Sequence, residues 1–242
     1  MRNLIKLVLL LGVIVYLVFA FTRFNKPNEK DTCQAVNIVI TDSAQASFID
    51  ADEVEHLLKD SRLYPLGRTM VDINGKAIQQ FLLKNPLIAD AVCFKAPGGE
   101  VNISIKQRLP VVRIMADNGE DYFIDNKGSV MPRVKYAADV VIATGHISHD
   151  YARRHLFRLG RHIQNDPFWN DQTEQIHVDP QGNIEIVPRV GDQILNLGKP
   201  TDLQKKLENL RTFYEKAMNT VGWNKYARIS AEFNNQIVCT KK

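Results

Sequence analysis

A long apolar run near the N-terminus precedes a chain in which apolar and polar residues repeat at helix and strand spacings. Leu7 to Phe21 reads LVLLLGVIVYLVFAF and carries no charged side chain. With its apolar flanks the run reaches about 21 residues, and about 20 suffice to cross the hydrocarbon core of a bilayer. We therefore predict a membrane-spanning helix over 7–24 that includes Leu7, Leu11, Val15, Phe19 and Phe21.

The charges that flank this run predict its orientation. Arg2, Lys6 and the terminal amine precede it without an acidic residue, so the stub over 1–6 is expected in the cytoplasm. The bulk of the chain then lies beyond the inner membrane, in the periplasm. A signal peptide cleaved after Val18-Phe19-Ala20 is the alternative, and it places the globular part in the same compartment.

The residues that follow a polar tether at 25–34 predict a small α+β layer. Strands are expected over 36–40, 88–95 and 101–106, because these segments are rich in β-branched residues or alternate in polarity. Helices are expected behind Asp50 and Asp72, where apolar residues recur at intervals of three and four. This order predicts two helices packed on one face of a three-stranded sheet.

The second half of the chain predicts a mixed α/β domain with a multi-stranded antiparallel sheet. Turn sequences such as Asp125-Asn126-Lys127-Gly128 separate short strand-like runs. Apolar stripes predict helices over about 150–165 and 201–221. Strands are expected over 111–115, 122–124, 129–131, 176–178, 184–187, 227–233 and 236–240.

Composition and charge narrow the classes of function. The net charge of +4 is mild, and with a periplasmic location it argues against a nucleic-acid partner. Cys33, Cys93 and Cys239 are too few and too widely spaced for a disulfide framework or a metal site, and buried free thiols are expected. The chain therefore resembles an ordinary globular protein of two domains behind an anchor.

The histidines and acidic residues do not form a recognisable catalytic pattern. His146, His149, His155 and His162 lie close in sequence, but they lack the spacing and the companion ligands of a zinc site. Acid pairs occur at turns and helix starts, and the sequence has no nucleophile elbow, P-loop or dinucleotide fingerprint. We predict no enzyme activity, no metal and no cofactor.

One predicted helix is strongly basic. Arg153, Arg154, Arg158 and Arg161 lie along it. These cations fit contact with anionic glycan strands or phospholipid, and they also fit a solvated helix face.

Three segments of the first folded region resemble the POTRA domain of the FtsQ (DivIB) family of bacterial cell-division proteins. They are Phe48 with Glu53-Val54, the run NPLIADAV at 85–92, and the run VNISIKQRLPVVR at 101–113. Residues 192–198, Lys206-Leu207 and Phe213-Tyr214 resemble the β domain of that family, and Tyr122–Asp125 and Phe168-Trp169 resemble its Bacteroidetes branch. The resemblance implies a POTRA domain over 35–113 and a β domain over 114–242.

The resemblance implies a bitopic divisome scaffold without enzyme activity, enriched at the division septum. Its members recruit FtsB and FtsL and help to control septal peptidoglycan synthesis, so the septal synthase is an indirect partner. A last strand without proline can accept a partner strand at the sheet edge. By the aligned ending, the expected contributors are Phe233, Gln236, Ile237 and Val238, although the same residues also suit a role in closing the core.

Two other functions remain open from the sequence. A POTRA-bearing secretion or assembly component of the envelope is the first alternative, and it is typically built with tandem POTRA units. An anchored envelope hydrolase is the second, and its activity would depend on His146 or His149.

Overall fold

A computed structural model describes residues 2–24, 31–44, 48–133, 138–218, 220, 222, 225–233 and 235–242. The chain divides into two compact units. The first comprises Met1–Ser43 and Ile49–Gln107, and the second comprises Ala44–Phe48 and Arg108–Lys242.

The chain begins with helix α1, Arg2–Phe24. Among the residues that the structure describes, no helix combines the length and the apolarity required to cross a membrane. The membrane-spanning helix predicted over 7–24 is therefore not found.

The first unit has the predicted order of strand, helix, helix, strand and strand. Its three strands form a sheet in the order β1-β3-β2, with β1 parallel and β2 antiparallel to β3. The elements are β1 (Ala35–Ile40), α2 (Ala51–Asp60), α3 (Gly75–Leu82), β2 (Ile88–Ala96) and β3 (Glu100–Gln107). The arrangement of two helices and a three-stranded sheet expected from the sequence is confirmed.

Side-chain caps define where the two helices of this unit begin. The Asp50 carboxylate accepts a hydrogen bond from the Glu53 amide at 2.7 Å, as the sequence predicts for α2. Helix α3 begins two residues later than predicted from Asp72, because the Asn74 side chain accepts from the Ala77 amide at 3.0 Å. Both helices bury their apolar stripes, with Val54, Leu58, Ile78 and Leu82 almost fully enclosed.

In the second unit, helices follow strands along the chain, and the strands form one large sheet. Helix α4 (His149–Tyr151) runs through a π-helical turn, Ala152–Leu156, into α5 (Phe157–Asn165), and α7 (Leu203–Phe213) ends in a similar turn, Tyr214–Met218. The strands are β4 (Pro110–Ala116), β5 (Asp121–Asp125), β6 (Val130–Pro132), β7 (Val141–Gly145), β8 (Thr173–Val178), β9 (Ile184–Pro188), β10 (Ile194–Gly198), β11 (Tyr226–Ser230) and β12 (Val238–Lys241). The helices are α4 (His149–Tyr151), α5 (Phe157–Asn165), α6 (Pro167–Gln172) and α7 (Leu203–Phe213).

The nine strands are ordered β12-β11-β10-β9-β8-β7-β4-β5-β6. The predicted antiparallel sheet is corrected to a mixed one, because β4–β7, β7–β8 and β10–β11 pair in parallel. Parallel neighbours need a long crossover, and here helices α4 to α6 connect β7 to β8 while α7 connects β10 to β11. The crossover through α7 leads from β10 to β11, and β12 follows β11 as the last strand at one end of the sheet.

Buried apolar side chains join α5, α6 and α7 to the sheet. Leu156, Leu159, Trp169 and Leu210 are almost fully enclosed. A charged side chain is buried beside these residues: the Lys206 ammonium donates hydrogen bonds to the backbone carbonyls of Leu197 at 2.7 Å and Lys199 at 2.9 Å. Burial lowers the pKa of Lys206. The lysine thereby ties the first turn of α7 to the end of β10.

Candidate functional site

Strand β12 is hydrogen-bonded along only one of its sides. It is the terminal strand of the nine-stranded sheet and pairs with β11, with Ser230 opposite Val238, Ile229 opposite Cys239 and Arg228 opposite Thr240. No strand lies on its other side among the residues that the structure describes. The backbone of Val238–Lys241 therefore has an open edge.

The direction of each amide in β12 follows from the bonds of β11. The Ala231 amide donates to the Asn196 carbonyl of β10 at 2.9 Å. Because successive amides of a strand point to opposite sides, Ile229 also faces β10, whereas Arg228 and Ser230 face β12.

The partners of Arg228 and Ser230 in β12 therefore face inward. Val238 and Thr240 exchange hydrogen bonds with β11, and the Lys242 amide, which donates to the Lys225 carbonyl at 3.3 Å, fits the same alternation. Cys239 and Lys241 then point their N–H and C=O groups away from the sheet. Two donors and two acceptors are thus available at the open edge.

Side-chain hydrogen bonds hold β11 firmly against β10. The Asn196 amide group donates to Ser230 Oγ at 3.1 Å and to the Glu232 carboxylate at 3.3 Å. Arg228 forms an ion pair with Glu185 of β9. The edge strand is therefore supported by a neighbour that is fixed at both ends.

The residues predicted from the sequence are distributed around this edge. Val238 begins β12 and is 45% exposed, and Phe233 lies in the preceding loop and is 53% exposed. Gln236 and Ile237 precede the strand, and Ile237 is half-buried against the core. Cys239 and Lys241, which supply the outward backbone groups, were not predicted from the sequence. They follow from the alternation of backbone direction along β12 once its pairing with β11 is known.

A shallow hollow lies between the last turns of α7 and the approach to β12. It encloses about 290 Å³, and Phe213, Ala217 and Ile237 form its apolar part while Lys216 and Gln236 contribute polar groups. The hollow lies beside the open backbone, so one ligand segment can contact both.

The histidines that raised a catalytic hypothesis each form a separate hydrogen bond with a carboxylate. His146 Nδ1 lies 3.1 Å from Asp117, and His149 Nε2 lies 3.1 Å from Glu120 while its ring stacks on Tyr122 at 4.5 Å. In the described part of the chain, no three histidine, cysteine, aspartate or glutamate residues are placed to hold a metal ion. These contacts link the β4–β5 turn to the start of α4 and the residues before it.

The three cysteines are free thiols in this structure. Burial raises the pKa of Cys33, Cys93 and Cys239. A raised pKa keeps the thiols protonated, and protonated thiols are poor nucleophiles.

Two family models match the chain. A model described as FtsQ/DivIB, C-terminal related, matches residues 109–240, and a model described as a POTRA-like domain matches residues 31–106. The first match covers more than half of the chain and includes residues 238–240 of β12. A search of curated proteins returned no match.

Proposed function

The chain belongs to the FtsQ/DivIB family, and from that premise we propose that it recruits division partners by accepting a strand at the open edge of β12. The family consists of membrane-associated cell-division scaffolds that are not enzymes. The single observation that carries the proposal is the position of β12, which pairs with β11 alone among the strands that the structure describes.

The backbone chemistry of this edge supports strand addition. An incoming extended segment pairs its own N–H and C=O groups with those of Cys239 and Lys241 and so extends the sheet by one strand. Main-chain hydrogen bonds of this kind supply affinity with little dependence on sequence, so specificity must come from side chains.

Exposed apolar groups beside the edge support that specificity. Phe233 and Val238 expose apolar surface to an arriving strand, and the hollow at Phe213, Ala217 and Ile237 offers a place for one apolar side chain. Lys216 and Lys241 lie next to these groups and favour an acidic partner segment. We propose that the segment comes from FtsB, with FtsL as its companion, and that the assembly helps to control septal peptidoglycan synthesis.

We also propose that helix α1 attaches the protein to the plasma membrane, with the two folded units in the periplasm. Its apolar side chains from Leu9 to Phe19 are mostly more than half exposed. A helix that is apolar all round needs an apolar surrounding. Attachment of both partners to one membrane raises their effective concentration, so a modest affinity at β12 is sufficient.

Site-specific photo-crosslinking tests the proposed edge in dividing cells. A photoreactive phenylalanine analogue replaces Val238 in one strain and Val39 in a control strain, because Val39 is a similarly exposed valine on the other sheet. We expect a cross-link to FtsB from position 238 and none from position 39. Equal cross-linking from both positions, or none from 238, contradicts the proposed docking edge.

A further inference from the structure

A second hollow in the same unit lies between α5 and the start of α7. It encloses about 500 Å³, and its lining includes Arg158, Arg161, His162, Asn165, Asp202 and Gln204. An adjoining hollow of about 310 Å³ shares His162 and Asn165 with it and continues to Arg211. Together the two hollows form a groove of the size that small ligands occupy.

One face of α5 contributes three basic side chains to this groove. Arg158, Arg161 and His162 are spaced at i, i+3 and i+4, so they lie on the same side of the helix. Leu159 and Ile163 belong to the core, and Leu159 also lines the groove. The register of the helix thus holds the three side chains next to one another.

The two arginines of this face differ from the other arginines of the second unit. Among the described residues from 108 to 242, Arg158 and Arg161 alone have neither an ion pair nor a hydrogen bond to a carbonyl, whereas Arg153 bonds to the Gly128 carbonyl. The remaining arginines each pair with a carboxylate: Arg108, Arg113, Arg133, Arg154, Arg189, Arg211 and Arg228. Two neighbouring cations without an anion repel each other and cost the free protein stability.

The surroundings of these arginines hold the positive charge in place. The Arg161 guanidinium stacks on the Phe157 ring at 5.2 Å, which restricts its orientation. On the opposite wall lies Asp202, and in the adjoining hollow Asp166 pairs with Arg211. Arg158 and Arg161 thus face one acidic residue, Asp202, and the lining carries a net positive charge.

We propose that this groove binds a sugar that carries an oxyanion, either a carboxylate or a phosphate. A guanidinium pair recognises the planar or tetrahedral oxygens of such groups by paired hydrogen bonds. Asn165, Gln204 and His162 supply donors and acceptors for neighbouring hydroxyl groups, and Leu159, Pro200 and Leu203 add apolar surface to the lining. This site shares no residue with the edge of β12, so it does not depend on the proposed scaffold function.

Titration of the full chain in a non-ionic detergent tests the site with defined probes. The probes are glucuronate and glucose 6-phosphate, with glucose as the neutral match and inorganic phosphate as the free anion. We expect saturable binding of both anionic sugars, measured by nuclear magnetic resonance of the arginine and histidine side chains. Glucose and inorganic phosphate are expected to bind at least about tenfold more weakly, because each offers only part of the contacts.

Variants assign the binding to the groove. Arg158→Gln and Arg161→Gln are each expected to weaken binding of the anionic sugars about tenfold, whereas Arg154→Gln is expected to change nothing, because Arg154 pairs with Asp150 outside the groove. The melting temperature without ligand is expected not to fall in Arg158→Gln, because the change removes repulsion. A structural role for Arg158 predicts a lower melting temperature instead.

Three results overturn the proposal. The first is an absence of saturable binding of either anionic sugar. The second is unchanged affinity in Arg158→Gln and Arg161→Gln. The third is inorganic phosphate binding as tightly as the anionic sugars, which shows a site for free anions only.

Discussion

Replacing Cys239 with proline removes one of the two outward N–H groups of β12. The Cys239 amide faces away from β11, so the substitution breaks no hydrogen bond within the protein, and Val238 and Thr240 keep their bonds to β11. Proline also favours an extended residue before it, which suits Val238. The change is thus directed at the partner strand rather than at the fold.

The expected loss of affinity can be worked from this geometry. One backbone hydrogen bond contributes about 1 kcal/mol, and a partner carbonyl left unpaired at the interface costs a further 1 kcal/mol or more. The sum, about 2 kcal/mol, corresponds to about 30-fold weaker binding. Cys239 is half-buried against the core, so Cys239→Ala is the control that accounts for the lost side chain.

The assay is a titration of FtsB–FtsL into the full-length protein, with the free energy of unfolding measured in parallel. Val238→Pro is the contrasting variant: it removes an inward donor to β11 and is expected to lower the stability by about 1–3 kcal/mol. Cys239→Pro that binds within about twofold of Cys239→Ala refutes the reasoning, because the outward amide then takes no part in docking.

Three further predictions concern docking and stability. Phe233→Ser is expected to weaken FtsB–FtsL binding while Phe94→Ser, an equally exposed phenylalanine of β2, does not; equal effects contradict a specific edge. Lys206→Met is expected to cost about 1–3 kcal/mol in denaturant unfolding, because two carbonyls lose their donor, and an unchanged midpoint contradicts this. Asp121→Asn is expected to lower the free energy of unfolding by about 1–2 kcal/mol at pH 7, because the variant loses the ion pair with Arg113 that lowers the pKa of Asp121. The difference in stability from wild type should vanish as the pH falls through that lowered pKa.

Local signals in the sequence predict the first unit well. The Asp50 cap and the apolar spacing behind it lie within one helix, and the β2 and β3 strands are joined by a tight turn. Interactions over so short a separation are encoded by neighbouring residues. The late start of α3 at Asn74 shows the limit, because Asp72 and Asn74 are both acceptable caps, and in the structure Asp72 accepts from the Thr69 hydroxyl while Asn74 caps the helix.

Long-range pairing accounts for what the sequence did not predict in the second unit. Strand β7 is five residues long and pairs in parallel with β4 and β8, which are far away in sequence. The run of alternating polarity in β7 is too short to predict a strand, and parallel strands are not joined by a tight turn that the sequence could indicate. The predicted antiparallel sheet was therefore wrong in these places.

The candidate sites show the same division. The sequence identifies the end of the chain as a terminal strand, but the outward direction of Cys239 and Lys241 depends on the bond between Ala231 and Asn196 in a neighbouring strand. The sequence also identifies the basic helix, but only the structure distinguishes Arg158 and Arg161 from the paired Arg154. In both cases the deciding contacts come from residues that are distant in sequence or that the sequence does not show to be paired.

Amide hydrogen exchange of β12, measured with and without FtsB–FtsL, tests the open edge most directly. In the isolated protein we expect the Val238 and Thr240 amides to be protected by β11 and the Cys239 and Lys241 amides to exchange freely. Binding should protect Cys239 and Lys241. Protection of these two amides in the isolated protein, or free exchange in the complex, contradicts recruitment by strand addition.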